Sequence, residues 1–458
     1  MRRARSPLDD LPFLFKTRAA TSRRWTSGRD LPHGRRAMSD HSSKQPAPVP
    51  GDATRVDVAI VGGGLVGLSL AIALSGAGLL VAVIDREPPV DTAADAFDGR
   101  SSAIAWGSQR VLAGIGIWDG LASHAAPILD IRVSDGDSRL FLHYDHRDVA
   151  DHALGFIVEN RFTRRVLHAR AAGITNLIWL APARVERLDQ QPGETVLTLA
   201  DDRHVVARLV VGCDGKRSFV RQQAGIAVFA HRYAQTGIVA TVRHAKPHEN
   251  VAHERFLPAG PFAMLPLPDR DGAHRSSIVW TERADLVPTL MALDDESFVV
   301  EMTRRFGPWL GALGLEGQRW AYPLELVQAA RYIGPRVALA GDAAHAIHPI
   351  AGQGLNLGLR DVSALAECIV DAARLGLDIG ALDVLERYES WRRVDSVALI
   401  AVTDVLNRLF SNDLAPIRLA RDFGLAAVNQ IAPLKRLLMR HAMGVVGDLP
   451  RLARGERL

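Results

Sequence analysis

Cysteine is scarce in this sequence of 458 residues: there are only two, Cys213 and Cys368, far apart and outside any Cys-x-x-Cys pair. This excludes a disulfide framework and leaves no zinc signature, so we expect two small buried side chains in a reducing compartment. Clustered positive charge on a folded face is also lacking, since the net charge is only +4 and much of the excess lies in the first 38 residues. Nucleic-acid binding is therefore not indicated.

Residues 1–50 are rich in Arg, Ser and Pro and lack a sustained apolar period, so we expect them to be disordered. Two interpretations stay open. Residues 12–28 are basic, contain Ser and Thr and have no acid, as in a mitochondrial presequence. Alternatively, the segment is an upstream extension outside the working protein, with Met38 as the start; the lack of a convincing amphipathic helix favours this interpretation.

Residues 58–84 carry no charged side chain and would be long enough to span a hydrocarbon core of about 30 Å. Six glycines interrupt the stretch, at positions 62, 63, 64, 67, 76 and 78. Val56, Val58 and Ile60 alternate as in a strand, and residues 79–84 form a short apolar block typical of a buried parallel strand. The pattern predicts a strand–helix–strand unit and argues against a membrane span.

The sequence GGGLVG, at residues 62–67, fits G-x-G-x-x-G between the first strand and the helix. Gly62 permits a tight turn, Gly64 lets the backbone approach a pyrophosphate, and Gly67 allows close packing of helix and strand. The helix N-terminus offers N–H groups and partial positive charge to the phosphates. Asp85 ends the second strand about 20 residues on, where an acid accepts from a ribose hydroxyl. The unit predicts a dinucleotide site without choosing between NAD and FAD.

Two more apolar segments end in an acidic residue. The sequence LVVGCDG leads to Asp214 and Gly215, and VALAGDAAH contains Asp342. Both acids stand where the carboxyl end of a strand is expected, which is where open α/β sheets bind ligands.

These three motifs, in this order and separation, resemble those of the flavoprotein monooxygenases of the p-hydroxybenzoate hydroxylase type, over about residues 55–450. The sequence HPIAGQGLNLGLRD, at 348–361, is most similar to the branch of ubiquinone-biosynthesis hydroxylases. The resemblance implies an α/β fold, with a Rossmann-like FAD-binding domain, an interleaved β-sheet substrate domain and C-terminal helices. It implies FAD as the cofactor. With no second G-x-G-x-x-G, NAD(P)H would visit the same cleft as a transient reductant.

The resemblance assigns roles to individual residues. Asp342 would bind the ribityl chain of FAD, Asp214 and Gly215 would support the flavin and the path of the nicotinamide, and Arg100 would contact FAD. The residues expected to bind the cofactor are Gly62, Gly64, Gly67, Asp85, Arg100, Asp214, Gly215, Asp342, Gly352, Gly354, Leu355 and Asn356.

A helix is predicted over residues 355–375, opened by the glycine-rich sequence AGQGLN. The backbone N–H groups of Leu355 and Asn356 would stabilise the negative charge of the reduced flavin. Pro349 matches a proline beside the reacting ring in the family, and His348 is a catalytic candidate. His345 and His348 lack further ligands nearby, so we expect no metal.

Strands at 237–242, 263–267 and 276–280 are expected to form a separate sheet that walls the substrate pocket. A helix is predicted over 158–169 near the flavin, where Glu159 and Arg161 are interpreted as solvated charges rather than ligands. The expected divisions begin with an extension (1–54) and a first FAD-binding part (55–130). A mixed region (131–230) follows, which belongs to the FAD-binding domain from about residue 155. A substrate sheet (231–325), a third FAD-binding part (326–380) and a helical region (381–458) complete the chain.

The apolar sequence PAGPFAMLPL, at 258–267, suits a phenol with a hydrophobic tail, although Arg255 keeps a carboxylate substrate open. The implied reaction is the hydroxylation of a polyprenylated phenol by O2 through a flavin C4a-hydroperoxide. The alternatives are a hydroxylase of another phenol, a related halogenase or prenyl reductase, and a non-catalytic flavin-binding member of a ubiquinone-biosynthesis complex.

Residues 388–458 are expected to be helical, with an apolar stripe at Leu399, Val402 and Leu406 that favours core packing. Peripheral membrane contact is the alternative for the segment around residues 437–439, which basic residues flank. A cytoplasmic location is favoured, with peripheral contact at the inner membrane left open, or a location in the mitochondrial matrix if the presequence is real. Self-association or membership of a complex stays open.

Overall fold

The computed structural model describes residues 51–89, 99–136, 138, 141–348, 352–410 and 428–458, with the backbone alone at 398 and 400–410. The expectations for residues 1–50, for Pro349 and for the side chains of Val402 and Leu406 lie outside the described residues.

Nineteen strands are described. They are β1 Thr54–Val61, β2 Val81–Ile84, β3 Ser101–Ala105, β4 Ala125–Ile128, β5 Asp130–Asp135, β6 Phe141–Asp145, β7 Gly155–Glu159, β8 Leu177–Leu180, β9 Val185–Gln190, β10 Thr195–Leu199, β11 His204–Gly212, β12 Val228–His244, β13 Val251–Leu257, β14 Gly260–Arg270, β15 Ala273–Arg283, β16 Leu313–Ala329, β17 Ile333–Gly334, β18 Val337–Leu339 and β19 His345–Ala346.

The described α-helices are α1 Leu65–Gly76, α2 Trp106–Gly114, α3 Trp118–Leu121, α4 Asn160–Ala172, α5 Phe219–Gln223, α6 Val287–Ala292, α7 Asp295–Phe306, α8 Gln353–Arg374, α9 Leu382–Phe410, α10 Ala432–Ala442 and α11 Arg451–Arg454.

The first sheet contains the glycine motif. Its order is β17-β18-β11-β1-β2-β8, and the hairpin partners β10 and β9 extend from β11. The neighbours β18, β11, β1, β2 and β8 run parallel. All four residues of β2 and all three of β18 are buried, because helices cover both faces of a parallel sheet and leave its central strands no polar side.

Helix α1 occupies the middle of the uncharged stretch that resembles a membrane span. The stretch is divided into β1, α1 and β2, as the strand–helix–strand prediction requires. Nine of the twelve residues of α1 are buried, which explains why the helix is apolar on all sides. Among the described residues, no helix is both long and apolar enough to cross a membrane.

The second sheet has the order β19-β16-β12-β15-β14-β13-β5-β6. The three strands predicted for a separate sheet lie within β12, β14 and β15. Helix α7 packs on this sheet through Phe298, Met302 and Phe306. Its first turn is fixed by Asp294, whose side chain accepts a hydrogen bond of 2.7 Å from the Ser297 N–H. Strands β5 and β6 also join this sheet, a long-range pairing that local sequence patterns do not reveal.

A third, smaller sheet has the order β3-β7-β4 and corrects one prediction. The helix predicted to start at residue 158 starts at Asn160, because Glu159 still pairs with Ser101 in the ladder between β3 and β7. Helix α8 likewise starts at Gln353, two residues before its predicted start. Gly352 precedes it in the left-handed conformation, with φ of +62°.

Candidate active site

Four neighbouring parallel strands of the first sheet end at the same level. Val61 of β1 is paired with Gly212 of β11 and with Ile84 of β2, and Gly212 is paired in turn with Leu339 of β18. The residues that follow these ends are the glycine loop, Asp85, the Asp214 turn and the Asp342 turn. The sheet therefore brings the three sequence motifs to one edge.

The glycines of the first motif are required for different reasons. Gly62 has φ of +105°, and a Cβ there would collide with the carbonyl group of Cys213. A Cβ on Gly67 would collide with the carbonyl oxygen of Gly62, so that glycine allows α1 to approach the turn. A Cβ on Gly64 would meet nothing within 4 Å. The protein's own packing does not demand a glycine at 64, whereas a ligand lying against the loop would.

Asp85 is attached to this loop. Its Oδ2 accepts a hydrogen bond from the Gly63 N–H, and its Oδ1 accepts one of 2.8 Å from the Glu87 N–H. A carboxylate has about four lone-pair sites, so Asp85 can still accept from ribose hydroxyls while it holds the loop.

Asp214 stabilises the second turn. Its Oδ2 accepts hydrogen bonds from the N–H groups of Phe219 and Val220, at 2.6 and 3.1 Å, at the start of α5. Its Oδ1 is buried without a hydrogen-bond partner among the described residues. A buried carboxylate oxygen that accepts no hydrogen bond destabilises the folded protein. A ligand hydroxyl or N–H that donates to Oδ1 would therefore be stabilising.

Asp342 lies deep in the molecule, yet its side chain is exposed to solvent, as on the wall of a cleft. Burial raises the pKa of its carboxyl group, while the electrostatic influence of Lys216, His345 and Arg100 opposes that rise. Arg100 is exposed, and its carbonyl oxygen accepts a hydrogen bond of 2.9 Å from the Asn160 N–H. The structure thus brings Arg100 and Asp342 into one electrostatic environment.

Helix α8 directs its N-terminus toward the same strand edge. Gly341, at the Asp342 turn, and Gly358 of α8 both pack on Val66 of α1, where a Cβ on either glycine would press on that side chain. Gly354 in the first turn is exposed, and a Cβ on it would meet nothing within 4 Å. Leu355 follows it and is half-buried.

Asn356 has a different role from the one expected. Its side chain is fully buried and binds strand β3: Oδ1 accepts from the Ala105 N–H at 2.9 Å and Nδ2 donates to the Ala103 carbonyl at 2.8 Å. As the fourth residue of α8, its N–H is also the first that a helix normally satisfies internally. The N–H groups of Gly354 and Leu355 precede that first intrahelical bond, and the role expected for Leu355 stays a prediction.

A buried charge network lies beneath the third motif, and the sequence did not reveal it. Asp361 of α8 accepts hydrogen bonds from the Gly341 N–H at 2.9 Å and from Arg392 Nε at 2.8 Å. His345 Nε2 lies 2.7 Å from the same carboxylate and can form an ion pair when protonated. Burial raises the pKa of Asp361, but His345 and Arg392 outweigh it and hold the pKa below its usual value.

The other histidine, His348, is buried and makes an edge-on ring contact with Tyr233, at 5.2 Å between ring centres. This position suits packing beneath the site better than proton transfer to a substrate, so its catalytic role stays a prediction. The described residues contain no cluster of three or more His, Cys, Asp or Glu side chains placed to hold a metal ion.

Two arginine interactions were not predicted from the sequence. Arg221 is buried and donates to the carbonyls of Ala343, at 2.8 Å, and Lys216, at 2.7 Å, which ties the second motif to the third. The interpretation of Glu159 and Arg161 as solvated charges was wrong. They form a buried ion pair of 2.9 Å, and Glu159 also pairs with Arg275 of the second sheet.

The apolar segment 258–267 contributes mostly to packing. Phe262 and Met264 belong to the core under α7, and Leu267 belongs to a smaller core with Ile128 and Ile157. Arg255 donates to the carbonyls of Phe306 and Gly136, at 2.6 and 2.7 Å, which argues against a free clamp for a substrate carboxylate.

These observations fit a flavin dinucleotide. Gly64, Gly215 and Gly354 all leave open space where a Cβ would stand, and Asp214 offers a buried acceptor without a donor. Two helix N-termini, at α1 and α8, supply N–H groups at the same edge of the sheet. The donor and acceptor set is that of a pyrophosphate and polyol ligand rather than of a metal ion.

Comparison with known proteins gives a consistent result. Residues 55–399 match the family model described as "FAD binding domain". The chain is 52% identical to a ubiquinone hydroxylase, UbiL, of Rhodospirillum rubrum, over 90% of this chain and 96% of that protein. It is 34% identical to 3-demethoxyubiquinol 3-hydroxylase of Escherichia coli, over 85% of this chain and 98% of that protein.

A solved structure is similar in fold. The p-nitrophenol 4-monooxygenase PnpA from Pseudomonas putida superposes with a TM-score of 0.70, covering 84% of this chain and 97% of that one. Sequence identity is 21%, so this likeness concerns the fold alone.

Proposed function

Because the chain belongs to the family defined by this FAD binding domain, we propose that it is an FAD-dependent monooxygenase that hydroxylates a polyprenylated phenol in ubiquinone biosynthesis. The family that the three motifs predicted is thereby confirmed, as is the α/β fold class. The proposal depends above all on one observation: the ends of β18, β11, β1 and β2 are in register, so all three motifs meet at one edge.

The residues at this edge suggest how the cofactor would be held. The loop from Gly62 to Gly67 and the N-terminus of α1 would bind the pyrophosphate, and Asp85 would accept from the adenosine ribose. Asp214 and Asp342, with Arg100 beside them, would hold the ribityl and flavin end. When bound, FAD accepts hydride from NAD(P)H and activates O2 for transfer of one oxygen atom to the ring.

The chain's own contribution is orientation, electrostatics and exclusion of water. The N-terminus of α8, with the N–H groups of Gly354 and Leu355 in its first turn, would stabilise negative charge at its end. Asp361 keeps the Asp342 turn in place through the Gly341 N–H. The buried His348 and the half-buried Tyr233 pack edge-on against each other, and they would help to keep water away from this region.

The substrate assignment comes from the names of the relatives, a ubiquinone hydroxylase and a 3-demethoxyubiquinol 3-hydroxylase. A prenylated phenol has no carboxylate for an arginine to bind. This agrees with the hydrogen bonds that Arg255 already donates to the carbonyls of Phe306 and Gly136. We also propose the domain divisions that were predicted from the sequence, with β5 and β6 added to the substrate sheet. Peripheral association with a membrane is part of the proposal.

The test is turnover by the purified yellow protein. NADH or NADPH oxidation and O2 uptake should both rise when a prenylated phenol is added, with hydroxylated product detected by mass spectrometry. A yellow protein without phenol-stimulated uptake from either donor would overturn the enzyme assignment. In a deletion strain, the accumulating quinone precursor would identify the ring position; an unchanged quinone profile would contradict the pathway assignment.

A further inference from the structure

Helix α10 has an apolar surface on the side that faces away from the protein. Ile431, Leu434 and Leu438 recur at spacings of three and four residues, so they line one side of the helix, with Leu437 beside them. All four are exposed; Leu437 retains 55% of its accessible surface and Leu438 40%. A single exposed leucine is ordinary, but four contiguous apolar side chains on one face indicate a docking surface.

The opposite side of α10 is anchored to the protein. Met439 and Met443 are buried and pack against Leu154. Lys435 Nζ forms an ion pair of 2.7 Å with Asp148. The exposed leucines are therefore not needed to attach the helix, because a separate set of side chains already does so.

The charge of α10 favours an anionic partner. Its sequence, APLKRLLMRHA, contains no acid, and the exposed Arg436 and Arg440 lie four residues apart along one edge of the apolar face, beside Leu437. A second copy of the chain would bring two such basic helices face to face in a symmetric contact, which like charges oppose. An anionic lipid surface satisfies both the leucines and the arginines.

Helix α10 is also attached directly to the helix that begins at the candidate site. Arg360 Nη2 of α8 donates to the His441 carbonyl at 3.3 Å, and the Gly107 N–H donates to the Met443 carbonyl at 2.9 Å. Arg360 lies about 12 Å along α8 from Gly352, at 1.5 Å per residue. A bilayer against α10 would thus be close to the strand edge where the cofactor is proposed to bind.

We propose that α10 docks the protein on the surface of an anionic lipid bilayer, with Leu434, Leu437 and Leu438 inserted at the level of the headgroups. A polyprenylated phenol dissolves in the bilayer, so docking there would bring the enzyme to its substrate. In this respect the inference extends the proposed function and rests on it. The lipid contact itself is argued from the exposed leucines and arginines alone.

The experiment is flotation of the full chain, loaded with FAD, with phosphatidylcholine vesicles that do or do not contain phosphatidylglycerol. The wild type should float with the anionic vesicles. Leu437→Gln/Leu438→Gln should weaken partitioning by about tenfold or more, because these two apolar side chains would no longer be removed from water by the lipids. Arg436→Gln/Arg440→Gln should weaken it by about tenfold for anionic vesicles at low salt, and hardly at all for neutral ones.

A matched control is Leu375→Gln/Leu377→Gln, which removes two exposed leucines after α8 and should leave partitioning unchanged. A wild type that stays unbound, or a Leu437/Leu438 variant that floats as the wild type does, would overturn the proposal. So would a wild-type dimer that the leucine substitutions dissociate, without any vesicle binding, since the occupant would then be a second copy. Circular dichroism and flavin absorbance verify that each variant is folded.

Turnover of a soluble, short-tailed phenol, measured on the same samples, separates this inference from the proposed function. The leucine variant should keep that turnover while losing its vesicle binding. If no sample turns over the phenol but the wild type floats as expected, the proposed function fails and the docking inference stands.

Discussion

The carboxylate of Asp361 accepts a hydrogen bond of 2.9 Å from the Gly341 N–H, one residue before Asp342. Both Asp361 and Gly341 are buried, and the other carboxylate oxygen is held by Arg392. The position of the Asp342 turn therefore depends on a charge on α8, twenty residues further along the chain. Asp361 is a positioning residue, since it acts through the turn.

Replacing Asp361 by Asn should weaken both the fold and FAD binding. The amide removes one of the two carboxylates that pair with the buried Arg392 and leaves only Asp395, so the cost should be close to or below the roughly 3 kcal/mol of a fully broken buried pair. Urea unfolding monitored by circular dichroism should detect that loss. The dissociation constant for FAD, measured by flavin fluorescence, should rise because the Asp342 turn is no longer fixed.

Glu389→Gln is the matched control for a purely structural loss. Glu389 is also buried and pairs with Arg331, and it accepts from the Tyr332 N–H at 2.7 Å, but it does not touch the Asp342 turn. It should lower the free energy of unfolding without changing the FAD dissociation constant. Equal effects of both variants on FAD affinity would contradict the positioning role.

The pH dependence of stability follows from Asp395. Burial opposes ionisation, but Arg360 and Arg392 prevail and lower its pKa to about 2, compared with about 3.9 in an unfolded chain. Because the folded-state pKa is depressed, the contribution is present above pH 4 and is lost as the pH falls toward 2. Its size at pH 7 is on the order of 2 kcal/mol.

Asp395→Asn should therefore lower the free energy of unfolding at pH 7, and lower it by about half as much at pH 3. The reason is that pH 3 lies between the pKa values of Asp395 in the folded and unfolded states. Urea unfolding of wild type and variant at both pH values gives the difference directly. A difference that is the same at pH 3 and pH 7 would show that ionisation of Asp395 is not the cause.

The sequence predicted those parts of the fold whose signals are local. The glycine spacing and the alternation of Val56, Val58 and Ile60 were enough for β1, α1 and β2, because turns and strand burial impose period and composition directly. The sequence could not predict the register that aligns Val61 with Gly212 and Ile84. It supported only the general rule that open parallel sheets bind ligands at the carboxyl ends of their strands.

Local sequence patterns could not predict the long-range contacts. Asn356 reaches β3 across 253 positions, and Asp361 meets Gly341 across a turn, so neither partner can be read from a window of neighbouring residues. Asp361 stood within the quoted motif at 348–361 without an assigned role. The available signal was an acid within the apolar first half of the helix, between Leu359 and Val362, because a buried acid needs a partner.

Gly64 and Gly67 should respond in opposite ways to alanine. Gly64 has ordinary backbone angles, φ −70° and ψ −173°, and open space for a Cβ, so Gly64→Ala should fold with nearly wild-type stability. The added methyl group would occupy the proposed pyrophosphate contact and reduce FAD affinity by about tenfold or more. Gly67→Ala should fail to fold or lose several kcal/mol, because its Cβ collides with the Gly62 carbonyl.

Thermal unfolding of the apoprotein and FAD titration distinguish the two effects. If Gly64→Ala retains FAD with unchanged affinity, the pyrophosphate does not lie against this loop. If Gly67→Ala is as stable as the wild type, the close approach of α1 to the turn is not as described.

Asp342 and Cys213 offer the final comparison, since both follow strands of the first sheet. The side chain of Asp342 is exposed, near the basic side chains of Lys216 and Arg100, so Asp342→Ala should fold and lose FAD on purification. Cys213 packs below the glycine loop, and burial raises the pKa of its thiol, so it stays neutral and makes no charged contact. Cys213→Ala should stay yellow. The ratio of flavin absorbance at 450 nm to protein absorbance at 280 nm measures both outcomes, and a fully yellow Asp342→Ala protein would refute the proposed role of that carboxylate in FAD binding.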